Sequence, residues 1–381
     1  MKRVVACLAL LLPPAFAQRW TVQYFYDEDR TELVLEDLAF PSPQHGIAAG
    51  TIYEQSTFDK KPRYTILTTG DGGEHWSLKP VSEHPRSLFF LDEKTGWMVT
   101  DESIWSTADS GQTWKKTGEQ KKPDRKIRPV PSGGTILRVW FLDAHHGFAV
   151  GFQKTMLETH DAGHTWTPVE EAAKPPANPA FTAYTRIAFD GPMNGFVMGG
   201  STPPRPEDGN QLPPWLEPER AIKRKQVPNL TLMLQTLDGG ATWHTSTAPL
   251  FGVVTSVRLA GRDGLVLMAF NESFDWPSEV HRFDLVTGMT TLAFHDKDVR
   301  VTDSMIFAGP RAFLAGVEPS GQLNSAPIPS KVKMLTSSNL TDWSEINVDY
   351  KAVARSLILA GPDAAHLWAG TDTGMILHLV P

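Results

Sequence analysis

The sequence predicts an all-β ring, a β-propeller of seven blades with four antiparallel strands each, closed by its own N-terminal strand. Three observations predict it. One turn motif recurs along the chain, a strand-pair motif precedes each copy, and an unplaced N-terminal strand matches a C-terminal blade that is one strand short.

The turn motif comes first because it is the most specific. Thr69-Gly-Asp71-Gly-Gly73-Glu-His-Trp76, Thr107-Ala-Asp109-Ser-Gly111-Gln-Thr-Trp114, Thr159-His-Asp161-Ala-Gly163-His-Thr-Trp166 and Thr236-Leu-Asp238-Gly-Gly240-Ala-Thr-Trp243 share Thr-x-Asp-x-Gly-x-(Thr/His)-Trp. An Asp side chain can accept from backbone N–H groups just ahead of it and so hold a hairpin turn. Gly two positions later admits positive φ without a Cβ clash. Trp opens the return strand as a flat wedge between neighbouring sheets. A fifth copy, Thr336 to Trp343, keeps the Thr and the Trp and lacks the Asp and the Gly. The roles expected for Asp71, Trp76, Asp109, Trp114, Asp161, Trp166, Asp238, Trp243 and Trp343 are therefore structural, one set per blade.

The second motif is an alternating apolar strand, a turn, then Gly-aromatic-x-x-Gly. Val139-Trp-Phe141 before Gly147-Phe-Ala-Val-Gly151, and Ile187-Ala-Phe189 before Gly195-Phe-Val-Met-Gly199, are examples. Counting units gives blades at 33–81, 86–117, 136–169 and 183–249, then 252–295 without a box, and 301–348 with the degenerate one. The last unit, 357–379, holds three strands. Trp20-Thr-Val-Gln-Tyr-Phe-Tyr26 is the expected fourth, which removes two exposed sheet edges.

The N-terminus sets the expected compartment. Lys2 and Arg3 precede an apolar run, and Ala15-Phe16-Ala17 offers a small-x-small cleavage pattern. Residues 1–17 are expected to be a signal peptide and 18–381 the propeller, exported to the periplasm or the cell exterior. Cys7, the single cysteine, lies in the apolar run, so the exported part has no disulfide framework, thiolate site or cysteine nucleophile. The net charge of −7 disfavours generic nucleic-acid binding.

The combination of apolar–Asp/Asn–Gly-(Trp/Phe)-x-(Val/Met)-Gly with Thr-x-Asp-x-Gly-x-Thr-Trp resembles the photosystem II stability and assembly factor family (Ycf48/HCF136-like repeats). The likeness is good over 33–243 and loose over 334–379. It implies a non-enzymatic seven-bladed propeller that binds a membrane-protein partner through a basic patch; no motif maps that patch residue by residue.

The chemistry-bearing residues point to few sites. His160 and His164 run through a turn, so ligand spacing on a helix does not apply, and no metal or cofactor is expected. No phosphate loop or nucleophile elbow is present. An Arg-Ile-Pro sialidase signature is missing: Arg186-Ile187-Ala188 lacks the Pro. A different, glucan-cleaving hydrolase would need two carboxylic acids across one cleft, for which Glu36, Asp37, Asp92, Asp143 and Asp190 are candidates. Two irregular insertions, 118–134 and 201–229, carry Lys121, Lys122, Arg125 and Arg128, and Arg220, Lys223, Arg224 and Lys225. These are the expected contacts for an acidic segment of a protein partner. The expectation is a monomeric, exported, non-catalytic assembly scaffold. Its alternative is a sialidase-like or glucan-cleaving glycoside hydrolase that would take carbohydrate.

Overall fold

The strands differ in burial by their place in a blade, and that difference dictates how the blades stack. Second strands such as Gly147–Gly151 are buried at every residue, whereas outer strands such as Ser77–Val81 are mostly exposed. A strand covered on both faces reads as a continuous apolar run; one at the rim alternates or turns polar. The computed structural model describes residues 18–54, 61–120, 135–202, 228–270, 275–319, 322–323 and 326–381.

Blade 1 is the antiparallel set Thr31–Ala39, Gly46–Glu54, Arg63–Thr69 and Ser77–Val81. Blades 2 to 5 repeat that order as separate four-stranded sheets over 85–119, 136–168, 182–250 and 253–295. Blade 6 consists of Arg300–Phe307, Arg311–Val317, Ser330–Ser337 and Ser344–Val348. Blade 7 is Leu357–Asp363, His366–Thr371 and Met375–Val380, with Arg19–Phe25 as its outer strand. Trp20 pairs with Leu379 across this antiparallel closure, and a short parallel bridge, Arg19 to Asn347, ties blade 7 to blade 6. The seven blades are thus closed by the N-terminal strand.

Core residues lie between blades. Trp97 of blade 2 stacks on Phe141 of blade 3 at 3.6 Å, and Trp368 of blade 7 stacks on Phe40 of blade 1 at 3.7 Å. The glycine that opens a second strand makes room for such a ring. A Cβ at Gly147 would lie 2.6 Å from the Phe141 ring, so no larger residue fits there.

Candidate functional site: a rim of Asp-box turns and an arginine-lined channel

The four full Asp boxes share one Thr–Asp–Gly bond set, and in blades 2 and 3 the tryptophan N–H joins it. In blade 3 the Thr159 hydroxyl donates to Asp161 at 2.8 Å and accepts from the Gly163 N–H at 3.0 Å. Asp161 accepts from the Thr165 N–H at 2.8 Å and from its hydroxyl at 2.6 Å. Trp166 turns back to donate to the Gly163 carbonyl at 3.0 Å. Asp109 and Asp238 repeat the scheme with Thr113 and Thr242, and His75 replaces the threonine beside Asp71. Gly163 sits at φ +90°, the left-handed region this turn demands. The Thr165 hydroxyl and N–H hold the Asp161 carboxyl down at about 2, and those of Thr242 do the same for Asp238. Each aspartate sits in the turn before the outer strand of a different blade, so the four do not converge.

The fifth box differs from its sequence alignment. Thr336 donates instead to the Ala312 carbonyl. Ser337 takes the threonine's part, bonding Asn339 at 3.1 Å and accepting from the Leu340 N–H at 2.8 Å. Asn339 accepts from the Thr341 and Asp342 N–H groups, and Leu340 carries the positive φ, +64°. The turn is one residue shorter, which hides it from a fixed-spacing search. Trp343 keeps its place before the outer strand and donates to the Ala293 carbonyl of blade 5 at 2.9 Å.

The channel is built differently. Six of the innermost strands bulge just before Asp37, Ser87, Arg138, Arg186, Ser256 and Asp303. A bulge re-aims the side chain that follows it. Asp37, Arg138, Arg186 and Asp303 thereby line one cavity of about 470 Å³, which Arg258, two positions beyond the blade 5 bulge, also lines. Asp303 accepts from Ser256 at 2.8 Å, from the Ser304 N–H at 2.9 Å, from the Leu359 N–H of blade 7 at 2.9 Å, and from Arg258 at 3.2 Å. Asp37 accepts from the Leu38 N–H, from the Leu88 N–H of blade 2 at 2.9 Å, and from Arg138 of blade 3 at 3.5 Å. Both carboxylates therefore stitch blades together.

Arg186 is the exception among the three arginines. Its guanidinium donates to the Thr255 and Thr185 carbonyls and makes no ion pair among the described residues. Burial pulls its pKa down, with the Arg138 and Arg258 charges adding to the effect and Asp303 and Asp37 opposing it. A guanidinium nonetheless stays charged at neutral pH. Nη2 has no hydrogen-bond partner among the described residues, so a cation deep in the wall retains unspent donors. In the sequence Asp37 stands out only as a single candidate carboxylate, and the column it forms with the channel arginines does not. Aligning the first strands on Phe40, Phe90, Phe141 and Phe189 would have found it, because Asp37, Ser87, Arg138 and Arg186 each stand three positions earlier.

Of the other singled-out residues, Asp92 and Asp143 cap the turns after first strands. Asp92 accepts from the Lys94 and Thr95 N–H groups, and Asp143 from those of His145 and His146. Glu36 lies within 3.4 Å of His84. His160 meets His146 rather than His164: both approach Glu158, at 3.4 and 2.8 Å, with their rings stacked at 4.6 Å. These three could offer ligand atoms to a metal ion. Lys121, Lys122, Arg125, Arg128, Arg220, Lys223, Arg224 and Lys225 lie outside the described residues.

The ring, its closure and its turns define an Asp-box β-propeller. Comparison with known proteins narrows that class. The profile of the family described as "Photosynthesis system II assembly factor YCF48" matches residues 119–203. The chain is 49% identical over 39 residues to the photosystem II assembly protein Ycf48 of Thermosynechococcus vestitus, a match spanning 10% of this chain and 11% of that protein. It is 24% identical over 255 residues to the photosystem II assembly lipoprotein Ycf48 of Synechococcus sp. (strain CC9902), covering 63% and 71% of the two. A solved structure of YCF48 bound to D1 peptide superposes with a TM-score of 0.55 and 15% identity, over 94% of this chain and 99% of that one. The chain is thus a β-propeller that is similar to Ycf48 over part of its sequence and in its fold.

Proposed function

We propose that this chain is an exported, non-catalytic assembly scaffold whose channel takes an acidic segment of a protein partner. The observation that carries the reading is Arg186, a charged guanidinium in the channel wall with donors left over and no carboxylate partner among the described residues. A planar fork of N–H groups suits a carboxylate better than any other common ligand, and in a confined site the pairing gains strength. Arg138 and Arg258 flank it but are held by Asp37 and Asp303. That a relative has been solved with a D1 peptide bound supports a protein segment as ligand. The cations at 121–128 and 220–225 are further candidate contacts for an acidic segment, and the apolar run near the start of the sequence supports export.

The hydrolase reading finds less support. An acid catalyst must release a proton to the leaving group. The two channel aspartates instead spend their oxygens on backbone and side-chain donors that hold blades together.

The test is binding of labelled acidic peptides, each with a free or an amidated C-terminus, measured by fluorescence anisotropy at low and high salt. Arg186→Ala is expected to weaken binding at least tenfold, about 1.4 kcal/mol, with the loss largest at low salt. Equal binding by wild type and variant would remove the channel from the reading. Glycan cleavage abolished by Asp303→Asn in a folded protein would move the chain to the hydrolases.

A further inference from the structure

Six of the seven interfaces between successive blades contain a tryptophan from the rim of the later blade. Trp76, Trp114, Trp166 and Trp243 fill the gaps before blades 1 to 4, Trp343 that before blade 6 and Trp20 that before blade 7. Five of these stand immediately before the outer strand of their blade. Blade 5 has Met289 at that position, before Thr290–His295, and Met289 is 66% exposed. Its turn is a different one: Asp284 accepts from the Val286 and Thr287 N–H groups, and Gly288 takes the positive φ. The one ring this hairpin turns to blade 4 among the described residues is Phe283, on the third strand and 5.0 Å from Phe196; no ring stands at the position before the outer strand, where the other blades carry tryptophan.

A cavity of about 790 Å³ lies between blades 4 and 5. Phe196, Met198 and Met233 line it from blade 4, and Val266, Met268 and Phe283 from blade 5. The Gln235 side-chain amide faces it and makes no hydrogen bond among the described residues. Most small-molecule sites have this make-up: a concave space of about 300–1,000 Å³, mainly apolar, with a few polar groups to orient the ligand. Three methionines add an adaptable wall, since thioethers pack well against ring edges. The other six interfaces show which chemistry closes such a gap in this fold, namely a flat aromatic system inserted between two sheets.

We propose that the blade 4–blade 5 gap is a binding site for a small, planar, apolar aromatic ligand of at least two rings, seated where the other interfaces hold an indole. The site is independent of the channel reading, and its occupant needs no negative charge. Gln235 supplies the one uncommitted amide, suited to a single hydrogen-bonding substituent on the ring.

The probe is 1-anilinonaphthalene without its sulfonate, titrated by fluorescence into the folded full chain. One saturable site per chain is expected, together with a rise in melting temperature that grows with probe concentration. Met268→Trp fills the cavity from its floor, and Met289→Trp offers the missing wedge from the rim. Met268→Trp is expected to weaken the probe at least tenfold, about 1.4 kcal/mol. Tyr350→Trp, an exposed position elsewhere, should leave binding unchanged. Circular dichroism and melting curves establish that each variant is folded. Absence of saturable binding overturns the proposal, as does unchanged affinity in both filled variants. Probe fluorescence that vanishes as the protein self-associates in sedimentation would also overturn it, by assigning the gap to a second copy of the chain.

Discussion

At the rim of blade 3, Asp161 spends its bonds within one hairpin, on Thr159 and Thr165. In the channel, Asp303 of blade 6 reaches Ser256 and Arg258 of blade 5 and the Leu359 amide of blade 7. The same residue type holds a turn in one place and three blades in the other. The difference teaches where stability in a ring is shared. A rim box can fail alone, whereas a channel aspartate that fails leaves donors unpaired in two neighbouring blades.

The comparison breaks most completely at the closure. Deleting 18–25 removes the outer strand of blade 7 and the buried Trp20, and exposes a sheet edge beside blade 6. The expected outcome is loss of soluble protein, read by gel filtration. Recovery of a well-folded monomer would show that the first and last blades are held by packing alone.

The next largest effect separates the two aspartates. Asp303→Ala is expected to cost about 2–4 kcal/mol, because the amides of buried Leu359 and Ser304 lose their acceptor and the partly exposed Arg258 loses its partner. Asp161→Ala should cost clearly less in the same denaturant titrations. Its contribution also carries a pH signature. The native carboxyl, near 2, lies below the usual unfolded value of about 3.9. The stabilisation is therefore fully present above roughly pH 4 and lost as pH falls towards about 2. Equal costs for the two variants would erase the distinction.

A smaller effect belongs to the first inter-blade joint. His84 lies between Asp101 and Glu36, whose hydrogen bonds raise its pKa to about 9 against the cost of burial. This raised value means stabilisation that is complete below about pH 6.5 and lost as pH rises through about 9. Melting temperature should fall across that window, and His84→Gln should flatten the fall. The smallest effect lies inside one box. Ala162 holds φ +62° where blades 1 and 4 have Gly72 and Gly239. Ala162→Gly is expected to stabilise by about 1 kcal/mol or less, the left-handed strain relieved minus the entropy of an added glycine.

What could be read from the chain alone follows the same division. The box needs only residues within eight positions of one another, and so do the Phe-to-Gly hairpins, so both are written in local order. Counting those units, with Trp20 to Tyr26 left over, was enough for the seven-bladed ring and its closure. The Ser337–Asn339 turn escaped because it is one residue shorter than its relatives. Arg138, Arg186 and Arg258 escaped for a different reason. Each looks like an ordinary strand residue, and only ring closure brings them together, with a bulge turning each of the first two to the wall. The gap between blades 4 and 5 is likewise a property of two surfaces facing each other. Local bonding is decided by neighbours in sequence; the channel's charge and the unfilled interface depend on distances that no stretch of sequence contains.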